Sequence, residues 1–319
     1  MVNNRKILFR ADASAEIGYG HFIRTLALAD MLKDDFECVF YTQSPSVYQR
    51  KECENVCKLV DLPADDSRFQ LFLDQLKGDE IVVLDNYYYT TDYQKAIKEK
   101  GCKLVCVDDM HDKHYVADAV VNHGFAKEID FSKEDYTQIY TGPSYAMLRS
   151  PFLMQDNAVI RHHNRWIVCF GGSDQNNYTG EAVQYLRKRD DKPEIVAVVG
   201  DGYQYTQQLI DAGVEIRQRL KAEEIADLFR SAGNVVCSAS SVCYESLACG
   251  CKVYAGYYVN NQKDFYENLK HRGHIIPLGE LRQGDWRMLT SQDCIVTKEM
   301  SLLQVRCNFI TLFNALAQR

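Results

Sequence analysis

Ile7-Leu8-Phe9, followed after a loop by Gly18-Tyr19-Gly20-His21 and then by Phe22-Ile23-Arg24-Thr25-Leu26-Ala27-Leu28-Ala29, reads as a strand, a glycine turn and a helix running from His21 to about Lys33. Glycines at a strand-to-helix junction let backbone or ligand approach closely. A histidine on the first helical turn sits in a positive dipole field, which disfavours imidazolium and holds the ring neutral. A neutral imidazole beside a glycine-lined gap has the properties of a general base. The plainer alternative is a polar residue that merely opens a helix.

Moving outward, short apolar runs recur between helical stretches: Cys38-Val39-Phe40-Tyr41, Ile81-Val82-Val83-Leu84, Leu104-Val105-Cys106-Val107 and Ala119-Val120-Val121. Uninterrupted β-branched runs suit strands buried on both faces, and their alternation with helices predicts right-handed βαβ units and a parallel sheet. Two runs end in acid, Leu84-Asp85-Asn86-Tyr87 and Val107-Asp108-Asp109. Ligands of open α/β sheets bind outside the carboxyl ends of the strands, which puts Asp85, Tyr87, Asp108 and Asp109 on the rim that carries the Gly-His loop. Each Asp could instead cap a following helix.

The pattern breaks between Ser150 and Asn164, where Ser150-Pro151 and the polar His162-His163-Asn164 suggest a linker. It restarts with Trp166-Ile167-Val168-Cys169-Phe170 and continues through Ile195–Val199, Val235-Val236-Cys237 and Val253-Tyr254-Ala255. Two α/β domains are expected, residues 1–155 with the candidate base and residues 156–319 with their own ligand-type loops. Gly171-Gly172-Ser173-Asp174 directly follows a strand. Ser238-Ala239-Ser240-Ser241 opens a helix that ends near Gly250, and small hydroxyl residues at such a start offer free N–H and O–H donors to an anion. N-capping by serine is the simpler role. Glu245, four residues after Ser241, is one too far for a capping box counted from that serine and could accept ribose hydroxyls. A third loop, Val259-Asn260-Asn261-Gln262, presents carboxamides that donate and accept without charge.

Composition narrows the classes. The chain has 319 residues and a net charge of −7, which argues against a nucleic-acid binder needing a basic face. No signal-peptide core and no bilayer-length apolar run is present, so a soluble cytoplasmic protein is expected. The 12 cysteines are scattered without a Cys-x-x-Cys repeat and read as buried free thiols. His111 and His114, close to Asp108 and Asp109, could hold a metal, but a charged loop is the commoner meaning; no metal or cofactor is expected. Gly18-x-Gly20 begins like a dinucleotide fingerprint, yet Ile23 occupies the third glycine position.

Taken in order, these residues resemble the UDP-2,4-diacetamido-2,4,6-trideoxy-β-L-altropyranose hydrolases of pseudaminic acid biosynthesis. The likeness rests on Arg10-Ala11-Asp12, Ile17-Gly18-Tyr19-Gly20-His21 and Arg24, on Asp85-Asn86-Tyr87, and on Ser144-Tyr145-Ala146-Met147-Leu148-Arg149. It continues through Gly171-Gly172-Ser173-Asp174, Ser238-Ala239-Ser240-Ser241 with Glu245, and Asn261-Gln262. The resemblance implies a GT-B architecture, two Rossmann-like domains facing a cleft, and metal-independent hydrolysis of a UDP-sugar with inversion at C1. It implies His21 as catalytic base, with Tyr87 and Asn261 at active-site motif positions. Gly18, Gly20, Arg24, Gly172, Ser173, Ser240, Ser241, Glu245 and Gln262 would contact substrate or nucleotide. The run Tyr87-Tyr88-Tyr89 leaves open which tyrosine points inward. Rival functions are an inverting glycosyltransferase with the same donor site, a nucleotide-sugar 2-epimerase and a non-catalytic binder.

Overall fold

The computed structural model describes residues 5–13, 18–154, 159–172, 174–290 and 297–318. The chain divides into two compact units, Met1–Ser150 with Leu302–Arg319, and Pro151–Ser301.

In unit 1, β1 (Lys6–Arg10), α1 (Gly20–Leu32), β2 (Glu37–Gln43), α2 (Val47–Cys53), β3 (Lys58–Leu62), α3 (Ser67–Leu73), β4 (Ile81–Leu84), α4 (Thr91–Glu99) and β5 (Lys103–Val107) alternate as the hydrophobic runs predict. They are followed by β6 (His114–Tyr115), β7 (Ala119–Asn122), β8 (Ser132–Lys133) and β9 (Gln138–Thr141). The main sheet has the order β3-β2-β1-β4-β5-β7-β9, with each neighbouring pair parallel. β6 and β8 form a separate short ladder. The chain winds outward from β1 to β3, then returns to lay β4 on the other side of β1. That reversal opens a crevice at the carboxyl ends of β1 and β4, the place where doubly wound sheets hold ligands. All four residues of β4 are buried, as a strand covered on both faces requires.

After α5 (Ser150–Leu153), unit 2 repeats the winding. Its strands are β10 (His162–Cys169), β11 (Glu194–Val199), β12 (Glu215–Gln218), β13 (Ala232–Ser238), β14 (Lys252–Tyr257) and β15 (Ile276–Glu280). They stand in the parallel order β12-β11-β10-β13-β14-β15. Helices α6 (Tyr178–Leu186), α7 (Thr206–Asp211), α8 (Ala222–Ser231), α9 (Ser241–Ala248) and α10 (Asn260–Arg272) connect them. The core gathers Trp166, Val168, Ala182, Leu186, Ala197 and Leu289, among others.

Three expectations change. His162-His163-Asn164 is the exposed start of central strand β10, with His162 opposite Ala232, and is not a linker. Compactness separates the units after Ser150 instead of residue 155, which itself lies outside the described residues. The C-terminal segment also leaves unit 2: α11 (Val305–Ala317) belongs with unit 1. Its buried Val305, Phe309, Leu312, Phe313 and Leu316 recur at helical spacing. Phe313 meets Phe36 edge-on at 6.3 Å, Phe309 meets Tyr145 at 5.6 Å, and Asn308 donates to the Ser144 carbonyl.

The described cysteines are free thiols, buried except for half-buried Cys57 and exposed Cys307. Among the described residues no helix is long and apolar enough to cross a membrane. Truncating a fully buried aromatic forfeits both transfer and cavity energy. Phe313→Ala should therefore destabilise unit 1 by about 3–5 kcal/mol, read as a lowered urea midpoint.

Candidate active site

Gly18, at φ +85°, brings the chain out of the β1 loop, and Gly20 opens α1. A Cβ on either glycine would meet nothing within 4 Å, so the space beside this turn is open. His21 follows on the first turn of α1 and is buried. The N-cap residue Tyr19 makes no side-chain capping hydrogen bond.

The partner of His21 comes from the neighbouring strand. Asp85, directly after β4, is fully buried and lies 2.8 Å through Oδ1 from His21 Nδ1. Arg24 donates to the same carboxylate twice, from Nη2 to Oδ1 at 2.6 Å and from Nε to Oδ2 at 2.7 Å. Thr25 adds its hydroxyl to Oδ2 at 2.7 Å. Burial alone would raise the Asp85 pKa; the Arg24 charge, followed by His21, more than reverses it and holds the carboxyl below the usual range. An ionised carboxylate only accepts. Nδ1 of His21 must therefore carry the hydrogen that it shares with Asp85, which in a neutral imidazole puts the lone pair on Nε2. That is the tautomer a general base needs.

Arg24 stands among the residues expected to bind substrate, yet the structure commits it to protein. Its remaining corner, Nη1, donates to Asp109 Oδ2 at 2.5 Å. Burial would lower its pKa, but Asp109 and Asp85 raise it well above the ordinary value, so the guanidinium is a fixed cation. Asp109 is held low in turn: burial raises it, and Arg24 and His123 outweigh that.

The tyrosine run resolves by side-chain direction. Tyr87 is 38% exposed and sets its ring edge-on against His21 at 4.6 Å, with its hydroxyl donating to Asp109 Oδ2 at 3.3 Å. Tyr88 turns to Asp12, and Tyr89, 3% exposed, joins the core. Asp12 forms a second buried cluster, paired with Arg10 and accepting from Gln43 N at 2.7 Å. Its backbone N–H donates to Asn86 Oδ1 at 2.7 Å. This network ties the loops after β1 and β4 to the end of β2. Asp108 braces its own loop by accepting from His111 N at 2.8 Å. His111 and His114 diverge, the former to Asn122 and Phe131, the latter to Ser132 and Glu134. Thr25 and His123 carry no sequence signal; Thr25 arrives on α1 beside Arg24, and the strand order brings His123 in after β7.

In unit 2, Gly171 and Gly172 are exposed after β10, and Ser173 lies outside the described residues. A Cβ on Gly200 would come within 2.2 Å of the Gly172 carbonyl, so glycine is required where β11 ends against this loop. Asp174 caps α6 by accepting from Tyr178 N and Thr179 N at 2.9 and 2.8 Å. Ser240 precedes α9 but its side chain does not cap it; its hydroxyl faces the Ser238 carbonyl at 3.4 Å. Ser241 is half-buried at the helix start, and Glu245 is buried one turn on. Asn260-Asn261-Gln262 is not a loop but the first turn of α10. Asn261 is exposed there, while Gln262 Oε1 turns back to accept from Tyr258 N at 3.1 Å. Among the described residues no group of three or more His, Cys, Asp or Glu is placed to hold a metal.

Two parallel sheets of the same winding, in one chain, have close counterparts among solved structures. Acinetobacter baumannii MurG superposes with a TM-score of 0.57 at 14% identity, covering 98% of this chain and 92% of that one. Anabaena HepE in complex with UDP gives 0.59 at 12%, covering 97% and 100%. The fold is GT-B. No protein-family model matches the chain. In sequence, this GT-B protein is similar to the UDP-2,4-diacetamido-2,4,6-trideoxy-beta-L-altropyranose hydrolase of Campylobacter jejuni, 26% identical over 85% of this chain and 98% of the relative. It is 28% identical to an uncharacterized protein of Methanocaldococcus jannaschii over 86% of its own length, and spans 61% of that relative's. Spore coat polysaccharide biosynthesis protein SpsG of Bacillus subtilis matches at 24% over 84% of this chain and 82% of SpsG.

Because Asp85 is held low in the folded state, its stabilising contribution is full above the ordinary carboxylate pKa of about 4 and is lost as pH falls through the depressed native value. Asp85→Asn should cost about 3 kcal/mol at neutral pH by leaving Arg24 under-compensated. The variant should also show a weaker decline of stability below about pH 4 in urea titrations at stepped pH.

Proposed function

We propose that this chain hydrolyses a UDP-sugar at C1 with inversion, and that its substrate is the UDP-2,4-diacetamido-2,4,6-trideoxy-β-L-altropyranose named in its Campylobacter relative. The observation that carries the reading is the 2.8 Å contact between His21 Nδ1 and Asp85 Oδ1 at the β1–β4 crevice. On this reading a water molecule gives a proton to His21 Nε2 while its oxygen attacks C1 from the face opposite the nucleotide. The bond from C1 to the β-phosphate oxygen breaks, and its electron pair leaves with UDP. The imidazolium so formed lies against the ionised Asp85, the part a buried carboxylate plays beside a catalytic histidine. A placed base of this kind contributes about 10²–10⁴ in rate.

Unit 2 supplies the nucleotide contacts in this proposal. The diphosphate lies at the start of α9, at Ser240 and Ser241, where helix N–H groups and the dipole contribute roughly 0.3–2 kcal/mol to a bound anion. The start of α9 supports this, since the Ser240 side chain does not cap it. Glu245 takes the ribose, Gly172 and Ser173 flank the phosphates, and Asn261 and Gln262 contact the sugar or diphosphate. Tyr87 orients the ring of His21 and the sugar. On this reading the reaction belongs to pseudaminic acid biosynthesis, runs in the cytoplasm and uses no metal. The GT-B neighbours favour one alternative, an inverting glycosyltransferase in which His21 activates an acceptor hydroxyl instead of water.

Acceptor-free buffer separates the two: the hydrolase releases UDP from the sugar nucleotide, and the transferase does not. His21→Asn should lower kcat at least about 10²-fold while UDP affinity stays, the mark of a lost transition-state interaction. Near-normal turnover would remove His21 from the chemistry. Glu245→Ala should mainly raise KM; an unchanged KM would move the ribose contact elsewhere.

A further inference from the structure

None of the roles above uses Asp109, which comes from the loop after β5. Its importance follows from a competition at Asp85. Four donors reach that carboxylate, and two of them, His21 Nδ1 and Arg24 Nη2, share Oδ1 while lying only 3.1 Å apart. A guanidinium free to slide would take Oδ1 for itself and release the imidazole to rotate or change tautomer. The fork of Arg24 is rigid and planar, so anchoring its third corner fixes the other two. Asp109 is that anchor, through Nη1 at 2.5 Å. The same oxygen accepts the Tyr87 hydroxyl, whose ring walls the imidazole edge-on. Asp109 thus holds two of the groups that touch His21, Arg24 and Tyr87.

Charge agrees with geometry. The groups gathered around the ring are Arg24 from α1, Asp85 and Tyr87 after β4, Asp109 after β5 and His123 after β7. Burial holds His123 below its ordinary pKa, against the opposing pull of Asp109. Two carboxylates and one guanidinium leave one net negative charge beside the ring, which favours a hydrogen on the nitrogen that faces Asp85.

We propose that Asp109 is a positioning residue for the His21 base, holding the imidazole, through Arg24 Nη1 and the Tyr87 hydroxyl, in the tautomer with an unprotonated Nε2. The proposal rests on the reading of His21 as base. The test uses the full chain carrying Asp109→Asn, with nitrogen-15-labelled histidine and the His21 signals assigned by their loss in His21→Asn. The wild type should show a single neutral tautomer with Nε2 unprotonated, and Asp109→Asn a mixture. With the UDP-sugar, kcat should fall about ten-fold with KM within about two-fold, since misplacement of a reacting group acts on the chemical step. Asp109→Asn should add no further loss in a His21→Asn background. An unchanged tautomer, or a second ten-fold loss in that background, would overturn the proposal. If Asp109→Asn does not fold, Arg24→Lys removes the fork while keeping the charge, and retention of the single tautomer there overturns it equally. Failure of the parent reading looks different: His21→Asn would then keep its turnover, whereas the tautomer measurement needs no activity.

Discussion

A guanidinium buried between two carboxylates is the interaction around which this crevice is organised. Taking Arg24 out of water costs several kcal/mol, and only close, well-directed partners offset it. Asp85 and Asp109 meet that condition because β4 and β5 are adjacent parallel strands, whose carboxyl ends deliver two acids side by side. α1 delivers Arg24 and His21 one turn apart, so the cation and the imidazole share one helix face. The winding of the sheet thus sets the charge pattern, and the charge pattern sets the hydrogen on Nδ1.

The second unit uses different chemistry for its loops. Besides the Asp174 carboxylate at the start of α6, its loops offer neutral groups: glycine backbone after β10, serine hydroxyls before α9 and carboxamides opening α10. Such groups can face a phosphate without needing a basic surface. A net charge of −7 is then no obstacle to an anionic ligand.

Much of this was legible in the residues. Unbroken β-branched runs alternating with helices announce parallel sheets, and acids at strand ends announce the rim. The pairing of Asp85 with His21 was not, because 64 residues separate them and only strand order brings β4 beside β1. Arg24 reads as a ligand for substrate when its partners are invisible; burial between two acids is a tertiary fact. Adjacent tyrosines point in different directions, so only the backbone path selects Tyr87. Ser240 reads as an N-cap by composition, but its extended backbone turns the hydroxyl back toward Ser238. The return of α11 to unit 1 depends on long-range aromatic packing, which no local pattern encodes.

The central claim is that water, activated by His21, takes the nucleotide's place at C1. Mass spectrometry of the products formed in oxygen-18-labelled water tests it most directly, with the UDP-diacetamido sugar as substrate and no acceptor. The account predicts one labelled oxygen on C1 of the released sugar and none in UDP. Label on the β-phosphate would mean that the phosphorus–oxygen bond breaks instead, and would contradict the role given to the crevice.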